Sequence, residues 1–271
     1  MEETIDLGGL RLHVLHEGNF SLDPGAAFGI VPIPVWSRVA KLNPNQRISM
    51  SAMVAVIEKN GYFVMIDSGV GIGYDEKFAS LFEVEQVPGF HRKLMDVTGG
   101  KGIDMVIHTH LHFDHSGGAF SNDPAFSRSL VISQDDEVYN MENPDDLSRV
   151  SYRMPWGFSG LVRQIHGNSR LKGFIEIIRT GGHTSGHEAI IIKGSSGEII
   201  CPGDLFPTSF NLRPTFITAI DHYPLDTLRF KKAFIRRAIR NRSYMLFNHD
   251  STYTVARVKG EENRPVMDQP A

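Results

Sequence analysis

Apolar residues set two different rhythms along this chain. Met53–Glu58 and Tyr62–Asp67 are rich in Val, Ile and Phe and are separated by Asn60-Gly61. That dipeptide favours the positive φ values of a two-residue hairpin turn, so the pair predicts a β-hairpin. Residues 4–16 predict two short strands around Gly8-Gly9, and Asp104–His108 a short buried one. Glu176–Thr180, Ala189–Ile192, Glu198–Cys201 and Tyr244–Phe247 read as further strands. Helical spacing replaces alternation at Phe90–Thr98, which Gly99-Gly100 would cap. Leu225–Arg240 is amphipathic, with Leu225, Leu228, Phe234, Ile235, Ala238 and Ile239 on its apolar face and Arg229, Lys232, Arg236 and Arg240 on a solvated one.

Residues 18–47 follow neither rhythm. Pro24, Pro32, Pro34 and Pro44 lie among Phe28, Ile30, Ile33 and Trp36, which predicts a long apolar loop serving as a lid or binding loop. The polar tail over 260–271, with Pro265 and Pro270, is expected to fray. With no internal repeat and no low-complexity linker, residues 1–271 are read as one domain, although the length of 271 residues alone leaves two open.

Composition narrows the class. The chain is 41% hydrophobic and 22% charged, ordinary for a globular protein. Its acidic start, Met1-Glu2-Glu3, lacks the positive region of a signal peptide, and its apolar runs are too short to span a bilayer. Cys201 is the sole cysteine, so no intrachain disulfide forms and a cytoplasmic location is expected. A net charge of −3 gives no general attraction to nucleic acid.

The chemistry concentrates after Asp104–His108. His110-Leu111-His112-Phe113-Asp114-His115 places four metal-ligating groups in six residues, each following a predicted strand end. Alternate side chains at 110 and 112 share a face, and a turn directs Asp114 and His115 elsewhere. Imidazoles with carboxylates suit zinc, and also manganese, cobalt or iron; a lone cysteine excludes a thiolate site. Gly117-Gly118 lets the backbone fold tightly beneath the cluster. A single histidine is more often a surface or hydrogen-bonded core residue, but this density is far rarer.

His-x-His-x-Asp-His resembles the signature of the metallo-β-lactamase superfamily, and other segments continue the resemblance over residues 50–250. These are Asp67-Ser68-Gly69, Gly182-His183-Thr184-Ser185-Gly186-His187, Gly203-Asp204 and His249. The resemblance implies an α/β chain folded as an αββα sandwich and holding two divalent metal ions. His110, His112 and His183 would hold one, Asp114, His115 and His249 the other, and Asp204 would bridge. His187 and Asp67 would support ligands rather than ligate, and His108 would brace the site.

Gly25 to Ser37, Thr109 to His115, Thr180 to His183, Asp204 to Thr208 and Tyr223-Pro224 are similar to YtnP-type quorum-quenching lactonases. That likeness implies a hydrolase opening N-acyl homoserine lactones with metal-activated hydroxide, Asp114 passing a proton as the ring opens. Phe28, Trp36 and Tyr223 are the expected substrate contacts, with Met154, Trp156 and Phe158 adding apolar surface. Phosphotriester or aryl-ester hydrolysis of the methyl-parathion-hydrolase type is the alternative, and a non-catalytic sensor on the same scaffold a third reading. One departure stands out: the tyrosine that better-known lactonases place three residues after the bridging aspartate is Pro207 here. The expected partner is a small lactone or ester, with neither nucleic acid nor membrane. The apolar stretch 26–36 would also suit a homodimer contact.

Overall fold

In the computed structural model, residues 3–153 and 162–268 are described, and the alternating segments resolve into two stacked sheets. The first contains β1 (Glu3–Asp6), β2 (Arg11–Leu22), β3 (Ile48–Lys59), β4 (Tyr62–Ile66), β5 (Glu85–Gln86), β6 (Met105–Ile107), β7 (Leu130–Gln134) and β8 (Val162–Ile165). Its spatial order is β1-β2-β3-β4-β6-β7-β8, with β5 against β2. The second contains β9 (Ser169–Leu171), β10 (Ile175–Arg179), β11 (Glu188–Lys193), β12 (Glu198–Cys201), β13 (Tyr244–Leu246), β14 (Val255–Glu261) and β15 (Arg264–Asp268). Its order is β15-β14-β13-β12-β11-β10-β9.

The helices are α1 (Pro24–Phe28), α2 (Ile33–Trp36), α3 (Glu76–Phe82), α4 (Phe90–Thr98), α5 (Phe113–Ser116), α6 (Asp135–Glu142) and α7 (Pro224–Asn241). Parallel neighbours need a crossover between them. The connection holding α4 supplies it from β4 to β6, and α7 supplies it from β12 to β13.

Period-two alternation sorts each strand between layers. Ala55 and Ile57 of β3 and Val64 and Ile66 of β4 meet Ile190, Ile192, Ile199 and Cys201 between the sheets. Val54, Val56 and Met65 face the other way, against Phe90 and Leu94 of α4. Across the molecule Ile191, Ile200 and Met245 pack on Phe234, Ile235 and Ala238 of α7. The layers are therefore helix, sheet, sheet and helix. Each fully buried isoleucine contributes roughly 1.5–3 kcal/mol, so the sandwich is held mainly by this apolar alternation. Burial also raises the Cys201 thiol, which fills the inter-sheet core and lies outside the ligand cluster.

Two expectations need correction. Residues 18–47 are not an extended loop: β2 runs on to Leu22, and α1 and α2 follow. Proline is tolerated at the first turn of a helix because its missing N–H would be unsatisfied there anyway, and Asp23 caps α1 through the Gly25 N–H at 2.7 Å. Nor does the tail begin to fray at 260, because β14 and β15 pair from Arg257↔Asp268 to Glu261↔Arg264. Pro265 fits at this sheet edge, where a strand tolerates a missing donor. Among the described residues, no helix is long and apolar enough to cross a membrane.

Candidate metal centre

Strand direction builds the site. β4 and β6 are parallel, so Asp67 and the 108–115 segment leave the first sheet at one edge. In the second sheet β10, β12 and β13 share a direction, and Thr180–His187, Asp204 and Asn248-His249 leave their ends. Met53 N donates to Asn248 O at 2.8 Å, which draws the two edges together, and His249 N donates to Pro207 O at 2.8 Å, which ties the two second-sheet loops to each other. His110, His112 and His183 form one group of potential ligands, and Asp114, His115, Asp204 and His249 a second. Within each group the ligand atoms lie within 4.8 Å of one another.

The hydrogen bonds fix which ring nitrogen faces inward. His249 Nδ1 donates to the Ser51 carbonyl at 2.8 Å, and His115 Nδ1 to Asp67 Oδ2 at 2.9 Å. Both protons are therefore on Nδ1 in the neutral rings, and the two Nε2 lone pairs face each other at 3.0 Å. His183 Nδ1 donates to Asp221 Oδ1 at 2.9 Å, leaving its Nε2 lone pair 3.1 Å from His112 Nδ1. The His110 Nε2 is buried without a hydrogen-bond partner. Ring nitrogens this close need a proton or a cation between them, and this set of imidazoles and carboxylates suits a divalent metal ion.

Charge points the same way. Burial, helped by the neighbouring imidazoles, holds His110 and His112 well below the usual histidine range, in the neutral form a metal requires. Burial opposes charge on Asp204, yet positive charge on the surrounding imidazoles outweighs it and keeps the carboxyl well below its ordinary value, while, against the pull of burial, the nearby carboxylates in turn raise His115 and His183. A divalent ion at the cluster would supply that positive charge in place of the protons. Burial raises Asp114. Asp204 reaches both groups: Oδ1 is 3.1 Å from the Nε2 atoms of His115 and His249, and Oδ2 is 3.5 Å from His183 Nε2.

Several supporting groups sit behind these seven. Asp67 also accepts the Thr109 N–H at 2.7 Å. His187 pairs with Thr180 Oγ1 through Nδ1 and accepts the Asp204 N–H through Nε2 at 3.2 Å. His108 Nε2 meets Ser68 Oγ at 3.1 Å beneath the cluster, where burial lowers its pKa to about 4. A Cβ on Gly118 would lie 2.0 Å from the Ser68 carbonyl oxygen, which explains the glycine there.

Two supporting residues were not foreseen from the sequence. Glu137 Oε2 accepts the Leu111 N–H and the Tyr152 hydroxyl, while Oε1 accepts from Thr184 Oγ1 and the Gly186 N–H. One buried carboxylate thereby binds both histidine-bearing loops. Asp221, which orients His183, is itself held by the Thr218 hydroxyl at 2.7 Å. Single carboxylates far from their partners in sequence carry no spacing signal, and only the fold brings them in.

A cavity of about 490 Å³ opens on the cluster. His112, Asp114, Asp204, His249 and Pro207 line its inner part, and Leu22, Ala26, Ala27, Met50, Phe82, Leu147, Val150 and Ile220 contribute apolar wall. Phe28 and Trp36 are not among its lining residues, contrary to expectation. They stack face to face, centroids 5.0 Å apart, because the two short helices fold them into a satellite core with Phe20 and Met50. Tyr223 is also displaced: it is 47% exposed and borders a separate depression with Arg179, Gly181 and Phe230. It immediately precedes α7. Met154, Trp156 and Phe158 lie outside the described residues.

The family model described as metallo-beta-lactamase superfamily matches residues 50–243, which include every clustered ligand except His249. A probable metallo-hydrolase of Methanocaldococcus jannaschii is 32% identical over 107 residues, 37% of this chain and 50% of that protein. An N-acyl homoserine lactonase of a Bacillus species is 26% identical over 152 residues, 54% of this chain and 55% of that protein. The chain thus spans about half the length of the curated relatives it matches. A solved structure of a probable metal-dependent hydrolase from Staphylococcus aureus superposes with a TM-score of 0.89 at 27% identity, covering 98% of this chain and 100% of that one. AidC, a dizinc quorum-quenching lactonase solved with a product, gives a TM-score of 0.78 at 15% identity, covering 100% and 97%. At that identity the likeness is one of fold.

Proposed function

We propose that this chain, which belongs to the metallo-beta-lactamase superfamily, is a metal-dependent hydrolase, and specifically a binuclear lactonase acting on N-acyl homoserine lactones, as YtnP-type enzymes do. The observation that carries this reading is the apolar cavity opening directly on the ligand cluster. It offers an ester group access to the cluster and gives an acyl chain a dry wall. The similarity to a Bacillus lactonase supports the same substrate class.

In this reading His110, His112 and His183 hold one ion, Asp114, His115 and His249 the other, and Asp204 lies between. Zinc suits these donors, and manganese, cobalt or iron would also fit. When bound, the ions supply Lewis acidity toward the ester carbonyl and bring the pKa of a coordinated water toward ~7.

The protein's own groups do the rest. Asp67, the Ser51 carbonyl and Asp221 fix the ligand rings, so little reorganisation is needed during reaction. Asp114 lines both cluster and cavity, which suits it to pass a proton to the alkoxide as the ring opens. Pro207 carries no hydroxyl, and Tyr223 borders another depression, so neither supplies a tyrosine donor to the carbonyl.

Acid release followed by pH-stat from a panel of N-acyl homoserine lactones tests the proposal, with protein loaded with zinc, manganese or cobalt. Chelator-sensitive release is expected. Fully metallated protein that leaves the lactones intact but hydrolyses phosphotriesters or aryl esters would replace the lactonase reading with the alternative; inactivity on all of them would favour a sensor.

A further inference from the structure

A second cavity, of about 510 Å³, lies apart from the metal centre between the 213–216 loop, α7 and the β14–β15 hairpin. Its volume falls within the ~300–1,000 Å³ typical of small-molecule sites. Arg213, Lys232 and Arg264 line it, and no carboxylate does. Pro214, Phe216, Leu228 and Val266 supply apolar surface, while Thr215 and Asn263 add hydrogen-bonding groups.

The nearby negative charge is already engaged. Glu262, in the hairpin turn, takes Arg236 at 2.5 Å and leaves Lys232 at 4.0 Å. Among the described residues Arg213 and Arg264 make no ion pair. The Arg213 guanidinium instead lies over the Phe216 ring, 5.2 Å from its centroid, an arrangement that holds the cation in place without neutralising it. Arginine forks match carboxylate and phosphate oxygens, and the apolar lining of Pro214, Phe216, Leu228 and Val266 matches an uncharged body attached to them.

We propose that this cavity binds an anionic small molecule whose carboxylate or phosphate is carried on an apolar, preferably aromatic, body. The site rests on the two arginines and the apolar residues that line one cavity, and is independent of the substrate assigned to the metal centre.

Isothermal titration of the metal-loaded protein with phenyl phosphate, benzoate, inorganic phosphate and phenol tests it. Wild-type protein is expected to bind phenyl phosphate or benzoate, and which of the two binds more tightly identifies the anion. In Arg213→Ala and Arg264→Ala proteins that event weakens about tenfold per arginine, as expected for a charge-assisted hydrogen bond. Both side chains are exposed, so the fold should survive, and melting curves check that. Binding that persists in both variants belongs to the metal centre and overturns the proposal. Phenol binding as tightly as phenyl phosphate would overturn the anionic requirement, and inorganic phosphate doing so would overturn the apolar one.

Discussion

The Glu137 carboxylate accepts the Leu111 backbone N–H at 2.9 Å, at the residue that separates His110 from His112. Its other oxygen holds Thr184 and Gly186, on either side of Ser185 in the loop that presents His183. A glutamine at 137 would turn an N–H₂ group toward one of these donors whichever way it pointed. Glu137→Gln should therefore lower zinc affinity by about 10–100-fold, the usual range for supporting residues. Competition with a chromophoric chelator measures it, and unchanged affinity in a folded variant would remove the role.

Asp221 supports His183 alone, so its effect should be narrower. Asp221→Asn keeps an acceptor near Nδ1 but removes the charge that makes the ring a stronger donor to metal. Metal titration should show one weakened site and one nearly unchanged. Equal weakening of both would place Asp221 among the general structural residues.

Asp114 is at once a proposed ligand and the proposed proton carrier, so Asp114→Asn has to be read on turnover and metal content together. Turnover of a lactone substrate should fall by about 10²–10⁴-fold, the contribution of a positioned acid or base. Metal content measured on the same sample must stay near the wild-type value for the loss to count as proton transfer. Full turnover would eliminate the shuttle.

Glu17 gives a pH signature of stability. Its carboxylate is fully buried and accepts the Val70 and Gly71 N–H groups at 2.7 and 3.2 Å and the Gln86 side chain at 2.9 Å. Burial outweighs those bonds and pushes its pKa from 4.5 up to about 7. Its contribution is fully present below 4.5 and is lost as pH rises through 7, amounting to about 3 kcal/mol at most. Urea unfolding at pH 5 and pH 8 should show Glu17→Gln gaining on the wild type at the higher pH. A gap that does not change with pH would contradict the buried-acid account.

Gly118→Ala should destabilise the protein by about 1–3 kcal/mol, since the added methyl meets backbone rather than a flexible side chain. Thermal or urea denaturation reads the loss directly, and a neutral result would mean that the Ser68 carbonyl can move away.

Much of this was legible before the structure. β12 lies at its expected bounds, with Ile199 and Cys201 in one core and Ile200 in the other, and α4 ends as expected at Gly99, which takes the left-handed conformation. The ligands were readable because metal chemistry demands particular side chains at strand ends. Short proline-led helices were not, since one turn of helix has too few positions to show a period. β7 and α6 went unread too, and with α6 went Glu137, whose partners lie 26 and 47 residues away. Phe28, Trp36 and Tyr223 were misplaced for a related reason: aromatic composition marks a residue as adhesive without saying which surface it will meet.

The seven clustered side chains come from both sheets, with His110, His112, Asp114 and His115 leaving the first and His183, Asp204 and His249 leaving the second. Because four of those side chains, His112, Asp114, Asp204 and His249, also line the cavity, a bound ion would exchange through that opening while still tying one sheet to the other. Ion binding would then stabilise the folded chain by mass action, and the melting temperature would rise with free metal concentration. The melting curve would thus report occupancy of the seam.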